Sequence, residues 1–227
     1  MIIEALHFAL AYAASKRRNR HEIAASIGLW SRARRCAQDW LPHEECCKAF
    51  ITEKCDRLNA ARTAVVLGSG LLREVPIERL AKQFQRVELY DLVHLPEVRR
   101  RVRRAKLSNV TFIERDLSDG IDFLREKPDI DLVISVNLVS QMALNFNGDA
   151  ARLVRAHFAN LLSGDWMPCL ITDTGYSVIN RDGQVLTSAS LLRGVDPPPA
   201  FRAWDWTVAP FGELSKETET VHHVIAV

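Results

Sequence analysis

Two glycines and three carboxylates carry the chemistry that can be read directly from this chain. Gly68 and Gly70 interrupt the apolar run that begins at Thr63 (TAVVLGSG), and Asp91, Asp116 and Asp173 each follow a further apolar run. Where side chains are absent, backbone can approach a ligand closely. A carboxylate at the end of a buried strand can accept both hydroxyls of a ribose, and open α/β sheets bind ligands beyond their strand tips. Glycine turn and acid together describe half of a nucleotide-cofactor site.

The elements that must hold these groups alternate between strand and helix. TAVVL has the continuous apolar character of a strand buried on both faces. Pro76 opens a helix with Ile77, Leu80, Ala81 and Phe84 at helical spacing. Arg86 to Tyr90 is the next strand and delivers Asp91 to its tip. Ser118 or Asp119 caps a helix through Glu126, Asp131 to Val136 is strand four, and Asp149 caps a long helix ending at Gly164. Pro168 to Thr172 is strand five and ends at Asp173. An insertion at about 175–200 follows, with Asp182-Gly183 as a hairpin turn and three prolines at 197–199 as a stiff connector. The last two strands, FRAWDWTVA and TETVHHVIAV, lie too close in sequence for a parallel crossover and must pair as an antiparallel hairpin.

The glycine pattern separates two cofactor classes. A dinucleotide fingerprint requires G-x-G-x-x-G, whereas this chain reads Gly68-Ser69-Gly70-Leu71-Leu72-Arg73, and no G-x-x-x-x-G-K-[ST] phosphate loop occurs anywhere. From about Arg62 to Val227 the chain resembles the class I methyltransferases that use S-adenosylmethionine. The resemblance rests on the glycine turn, on Asp91 in VELYD, on Asp116 in VTFIERD and on the strand DIDLVISVN ending at Asn137. The family usually has an acid two residues before the first glycine, where this chain has Val66, and a third small residue in the turn, where it has Leu72.

That resemblance implies a doubly wound α/β fold. Its mostly parallel seven-stranded sheet has strand order 3-2-1-4-5-7-6 and an antiparallel last strand. S-Adenosyl-L-methionine is the implied cofactor, bound by Gly68, Ser69, Gly70, Asp91, Leu92, Asp116, Leu117 and Asn137. A hydroxyl or ammonium acceptor would need a general base, for which Asp173 and His94 are the catalytic candidates. Gln141 and Tyr176 are the substrate-binding candidates. The acceptor is expected to be a small molecule, and the N/D-P-P-Y motif of many amino-directed methyltransferases is absent. A binding or scaffold protein with the same fold and no turnover stays open as an alternative, because of Val66. A nicotinamide oxidoreductase lacks support at the third glycine and at the last strand.

Residues 1–60 read as an N-terminal helical cap on a methyltransferase-like domain spanning 61–227. An apolar stripe through Ile3, Leu6, Leu10 and Ala14 precedes Lys16-Arg17-Arg18, a second helix is expected from His21 to Trp40, and Pro42 is expected to start a third. The first stripe is too short to span a bilayer and its charges follow the apolar run, which is the reverse of a secretory signal. The expected location is cytoplasmic. Among 227 residues, 48% are hydrophobic and the formal charge is +2, so composition gives no strong nucleic-acid signal. Five cysteines without a repeated C-x-x-C pair are expected to be reduced thiols, with no metal site. The arginines between Arg99 and Arg104 are expected on the solvated face of the helix after Asp91.

Overall fold

The computed structural model describes Tyr12, residues 20–145 and residues 148–227. The expected helix over Ile2 to Ser15 lies outside the described residues, apart from Tyr12. Among the described residues there are six α-helices and eight β-strands. They are α1 (Arg20–Arg35), α2 (Ala37–Asp56), β1 (Thr63–Leu67), α3 (Ile77–Gln83), β2 (Arg86–Asp91), α4 (Pro96–Arg104), β3 (Val110–Glu114), β4 (Ile130–Val136), α5 (Leu138–Asn145), α6 (Ala150–Leu162), β5 (Met167–Asn180), β6 (Val185–Ser190), β7 (Arg202–Ala209) and β8 (Thr218–Ala226).

The sheet has the order β3-β2-β1-β4-β5-β8-β7, with β6 paired to β5 outside that path. Once the inserted β6 is set aside, this is the 3-2-1-4-5-7-6 order expected from the sequence. β1 to β5 pair in parallel, and β8 runs antiparallel to both β5 and β7. β1 and β4 are buried along their whole lengths because helices cover both faces of the sheet. One apolar cluster joins α1, α2, α3 and α4 to one face, and a second joins α5 and α6 to the other.

Four expectations are corrected. The helix break falls at Cys36, not at Pro42, which lies inside α2. Cys36 N–H bonds to Arg32 C=O and Trp40 N–H to Cys36 C=O, so the chain passes the break almost without losing helical bonding. Pro42 removes only one donor in the early turns of a helix whose apolar face is anchored by Trp40, Cys47, Phe50 and Ile51. The segment 117–126 forms two short 3₁₀ turns, separated by Gly120 at φ 97°, where a single helix was expected.

β5 does not stop at Asp173. It continues to Asn180 because β8 pairs with it from Ile171 through Asn180, and β6 supports its other edge. At Gly175 an added Cβ would come 2.9 Å from the Ala189 carbonyl oxygen. The glycine admits β6 at close range on one edge, while on the other edge the β8 register shifts between Asp173 and Gly175. Finally, α5 was not expected at all. It begins immediately after the tip of β4, with Val139, Met142 and Ala143 buried.

The arginine-rich helix α4 is pinned at its surface. Arg99 meets Glu114 at 3.3 Å and Arg101 meets Glu78 at 3.0 Å, while Arg101 also donates to the Leu72 carbonyl at 2.9 Å. Exposed pairs of this kind contribute little stability, but the last contact braces the turn that follows Gly70. All five cysteines are free. Among the described residues no helix is long and apolar enough to cross a membrane, and no group of three His, Cys, Asp or Glu side chains could hold a metal ion.

Candidate active site

A cavity of about 280 Å³ opens beyond the tips of β1, β2, β3 and β4. The first wall is the glycine turn. Gly68 and Gly70 both have positive φ, at 70° and 48°. At Gly68 an added Cβ would lie 3.0 Å from Leu138 Cβ, so the first turn residue and α5 approach as closely as a missing side chain allows. Asp91 then fixes the turn. Its Oδ2 accepts from Gly70 N–H at 2.7 Å and its Oδ1 from Leu92 N–H at 2.8 Å. Burial raises the Asp91 carboxyl above the usual range, and His94 and the backbone donors oppose that effect.

The second wall comes from the end of β3. Asp116 Oδ1 accepts from the Ser118 N–H at 3.0 Å and the Ser118 hydroxyl at 2.6 Å, which aims the first 3₁₀ turn at the cavity. Arg115, packed over the Phe123 ring at 3.7 Å, also lines it. Asn137, at the tip of β4, has φ 49°, a conformation that asparagine tolerates better than most side chains and that residues at functional sites often adopt.

Of the residues expected to hold the cofactor, Gly68, Gly70, Asp91, Leu92, Asp116, Leu117 and Asn137 all line this cavity. Ser69 does not. Its side chain is buried beneath the turn, 3.4 Å from His94 Nδ1. Gln141 lines the cavity, whereas Tyr176 lies on β5 away from that lining.

Neither catalytic candidate stands as a free base. His94 is 2% exposed and its Nε2 donates to the Ile113 carbonyl at 3.2 Å, with Ser69 against Nδ1. It supports the turn from behind and does not cap α4. Asp173 is buried, with one oxygen accepting from the Ser140 hydroxyl and the other 2.6 Å from His222 Nδ1.

The remaining wall is aromatic and was not anticipated. Trp40 from α2 and Trp206 from β7 line the cavity. Their rings meet edge to face with centroids 5.1 Å apart, and His43 stacks on Trp206 at 4.1 Å and 6°. Trp204 donates its indole N–H to His43 Nδ1 at 3.0 Å. An indole N–H only donates, so Nδ1 accepts and the His43 proton sits on Nε2. The Asn137 amide nitrogen lies 3.1 Å from Nε2, but two N–H groups cannot bond one another, so the amide is assigned with its oxygen there. The amide end turned away from His43 has no partner among the described residues, and with the oxygen on Nε2 that end is the NH₂ group. The WDW spacing held a signal for this wall, since residues two apart on a strand share a face.

Burial lowers His43 to about 4 and His157, beneath the sheet, also to about 4, from an ordinary 6.5. Both are neutral in the fold, while the unfolded chain takes up protons on them below pH 6.5. Their stability contribution is complete above pH 6.5 and is lost as pH falls toward 4. At pH 5 each should cost about 2 kcal/mol. The urea midpoint should fall between pH 7 and pH 5, and fall less in a His157→Gln variant. An unchanged wild-type midpoint would show that these imidazoles accept protons without penalty.

No protein-family model matches the chain. No curated protein matches it either. Among solved structures, the chain is similar to the N-methyltransferase NodS from Bradyrhizobium japonicum WM9 in complex with S-adenosyl-L-homocysteine, with 13% identity, a TM-score of 0.42 and coverage of 80% of this chain and 85% of that one. It is similar to the protein of a DhpI-SAM-HEP complex at 14% identity and a TM-score of 0.44, covering 85% and 92%. An O-methyltransferase family protein from Burkholderia thailandensis matches at 19% identity and a TM-score of 0.44, covering 77% and 47%.

Proposed function

We propose that this protein is an S-adenosylmethionine-dependent methyltransferase acting on a small-molecule acceptor, with residues 1–60 capping a catalytic domain of residues 61–227. The observation that carries this reading is the Asp91 carboxylate. It is tied to the glycine turn through Gly70 and opens on the same cavity as Asp116. In this reading Asp91 takes the ribose hydroxyls, Leu92 and Leu117 enclose the adenine, Asp116 faces its edge, and Gly68, Gly70 and Asn137 border the methionine end. Glu74 is a further carboxyl group in the cavity wall near the turn, and burial raises it above the usual carboxylate range.

Methyl transfer is an in-line displacement at a sulfonium, so the protein's main work is to align donor and acceptor and exclude water. Gln141 and the aromatic wall of Trp40 and Trp206 are assigned to the acceptor side. A ligand that binds only the native state raises the melting temperature by mass action. S-Adenosylmethionine and its demethylated product should each stabilise the protein in a thermal-shift series, and NAD should not. Stabilisation by NAD alone would reverse the assignment.

A further inference from the structure

His222 and His223 are neighbours on β8, and their hydrogen bonding differs in one respect. Both ring nitrogens of His223 are engaged, by Asp205 at 2.8 Å and by the Ser177 hydroxyl at 2.9 Å. His222 is engaged only at Nδ1, by Asp173, whose second oxygen accepts from Ser140 on α5. A carboxylate accepts, so the His222 proton sits on Nδ1 and the lone pair on Nε2. Among the described residues Nε2 has no hydrogen-bond partner, and the side chain keeps 19% of its surface exposed.

This imidazole belongs to a row that leads to the cavity. Tyr176, His222 and Trp206 are directly paired across β5, β8 and β7, so their side chains share one face. The His222 and Trp206 rings are 5.8 Å apart and the His222 and Tyr176 rings 6.1 Å apart. Trp206 lines the cavity and is only 6% exposed, yet among the described residues its indole N–H has no partner. The Asn137 amide, 7% exposed in the same wall, has an unmatched NH₂ once its oxygen is committed to His43. Among the described residues two donors without partners, the Trp206 indole N–H and the Asn137 NH₂, therefore border the cavity, and the His222 imidazole stands behind the Trp206 ring. An amine nucleophile, bringing N–H groups of its own, would leave both donors unmatched, whereas an oxygen can accept from them as it loses its proton.

We propose that the acceptor is a hydroxyl-bearing small molecule and that His222, oriented by Asp173, is the base that deprotonates it. The proposal rests on the methyltransferase reading above. As the acceptor oxygen forms its bond to the methyl carbon, its proton passes to His222 Nε2. The carbon–sulfur bond breaks with its electron pair on sulfur, and the sulfonium becomes a neutral thioether. The positive charge leaves the cofactor and appears on the imidazolium, where Asp173 balances it; release of the proton to solvent resets the site. Asp173 and Ser140 are positioning residues in this scheme. The titratable groups facing His222 are Asp173 and Tyr176 from β5 and His43 from α2.

The full chain, incubated with S-adenosylmethionine carrying a ¹³C methyl group and a low-molecular-mass metabolite extract, tests this whichever hydroxyl compound is the acceptor. The ¹³C shift of the product methyl distinguishes a methoxy group from N-methyl or S-methyl. A methoxy product is expected, formed at a rate that rises with pH through one ionisation. His222→Gln should lower the rate about a hundredfold or more, remove that pH dependence and leave S-adenosylmethionine affinity intact. Asp173→Asn should lower the rate while the product stays a methoxy compound. An N-methyl or S-methyl product, no labelled product, or a His222→Gln protein with wild-type rate and pH profile would overturn the inference. Failure of the wild type to bind S-adenosylmethionine would instead overturn the methyltransferase reading beneath it.

Discussion

Gly70→Val should abolish S-adenosylmethionine binding while leaving a folded protein. Gly70 has φ 48°, a region that β-branched residues scarcely enter, and its N–H donates to Asp91. The fold itself has room, since a Cβ at this position would meet only the Gly68 carbonyl oxygen at 3.9 Å. The backbone conformation is what valine cannot accept. Holding a non-glycine residue there costs about 1–2 kcal/mol, and relief by rotation would turn the N–H away from Asp91. The isopropyl group would also stand in the cavity that Gly70 lines. Titration calorimetry should detect no binding, with circular dichroism unchanged. Wild-type affinity in this variant would remove the glycine turn from the cofactor site.

Asp91→Ala has a different cause and a measurable residue of binding. Both carboxylate oxygens already hold backbone N–H groups, of Gly70 and Leu92, so truncation loosens the turn as well as removing the ribose acceptor. Loss of a charged hydrogen bond in such a site costs about 1.5–3 kcal/mol, or roughly 10- to 150-fold in affinity. Asp91→Asn should recover little. An amide has one acceptor oxygen, and its NH₂ would confront one of the two backbone donors. Calorimetry with S-adenosylmethionine decides between these outcomes, and unchanged affinity in the alanine variant would show that Asp91 serves only the turn.

The glycine turn and its acid were legible in the sequence because their parts are local. A buried strand, a glycine pair and an acid at the next strand tip lie within Thr63 to Asp91, and each has its own signature. The reversed last strand was legible too, since the short link through Pro210 and Gly212 excludes a parallel crossover. What escaped was long-range. Trp40 and Trp206 meet only when α2 packs on β7, and neither carries a local sign of its partner. His222 could be seen, but its distinction from His223 lies at Nε2, which the Ser177 hydroxyl holds in His223 and no described residue holds in His222, and that depends on register. Asp173 reads as a strand end but lies inside β5, His94 follows shortly after β2, and the polar atoms of both are engaged by neighbours. Position at a tip says nothing about whether nitrogen and oxygen atoms are already engaged.

The place of β8 in the sheet also bears on how the molecule is made. β8 follows both β5 and β7 in the chain yet lies between them, bonded to each along most of its length. Until residues 218–226 arrive, β5 and β7 present two unpaired edges toward a gap one strand wide, and unpaired edges invite pairing with other chains. The cradle around Gly68, Gly70 and Asp91 needs only β1, β2 and their immediate neighbours. His222 enters with the strand that closes the gap. Assembly of the acid–imidazole pair is thereby tied to completion of the sheet, a contact between distant parts of the chain that is intrinsically slow to form. A nascent or partly folded molecule would carry the glycine cradle before it carried the Asp173–His222 pair.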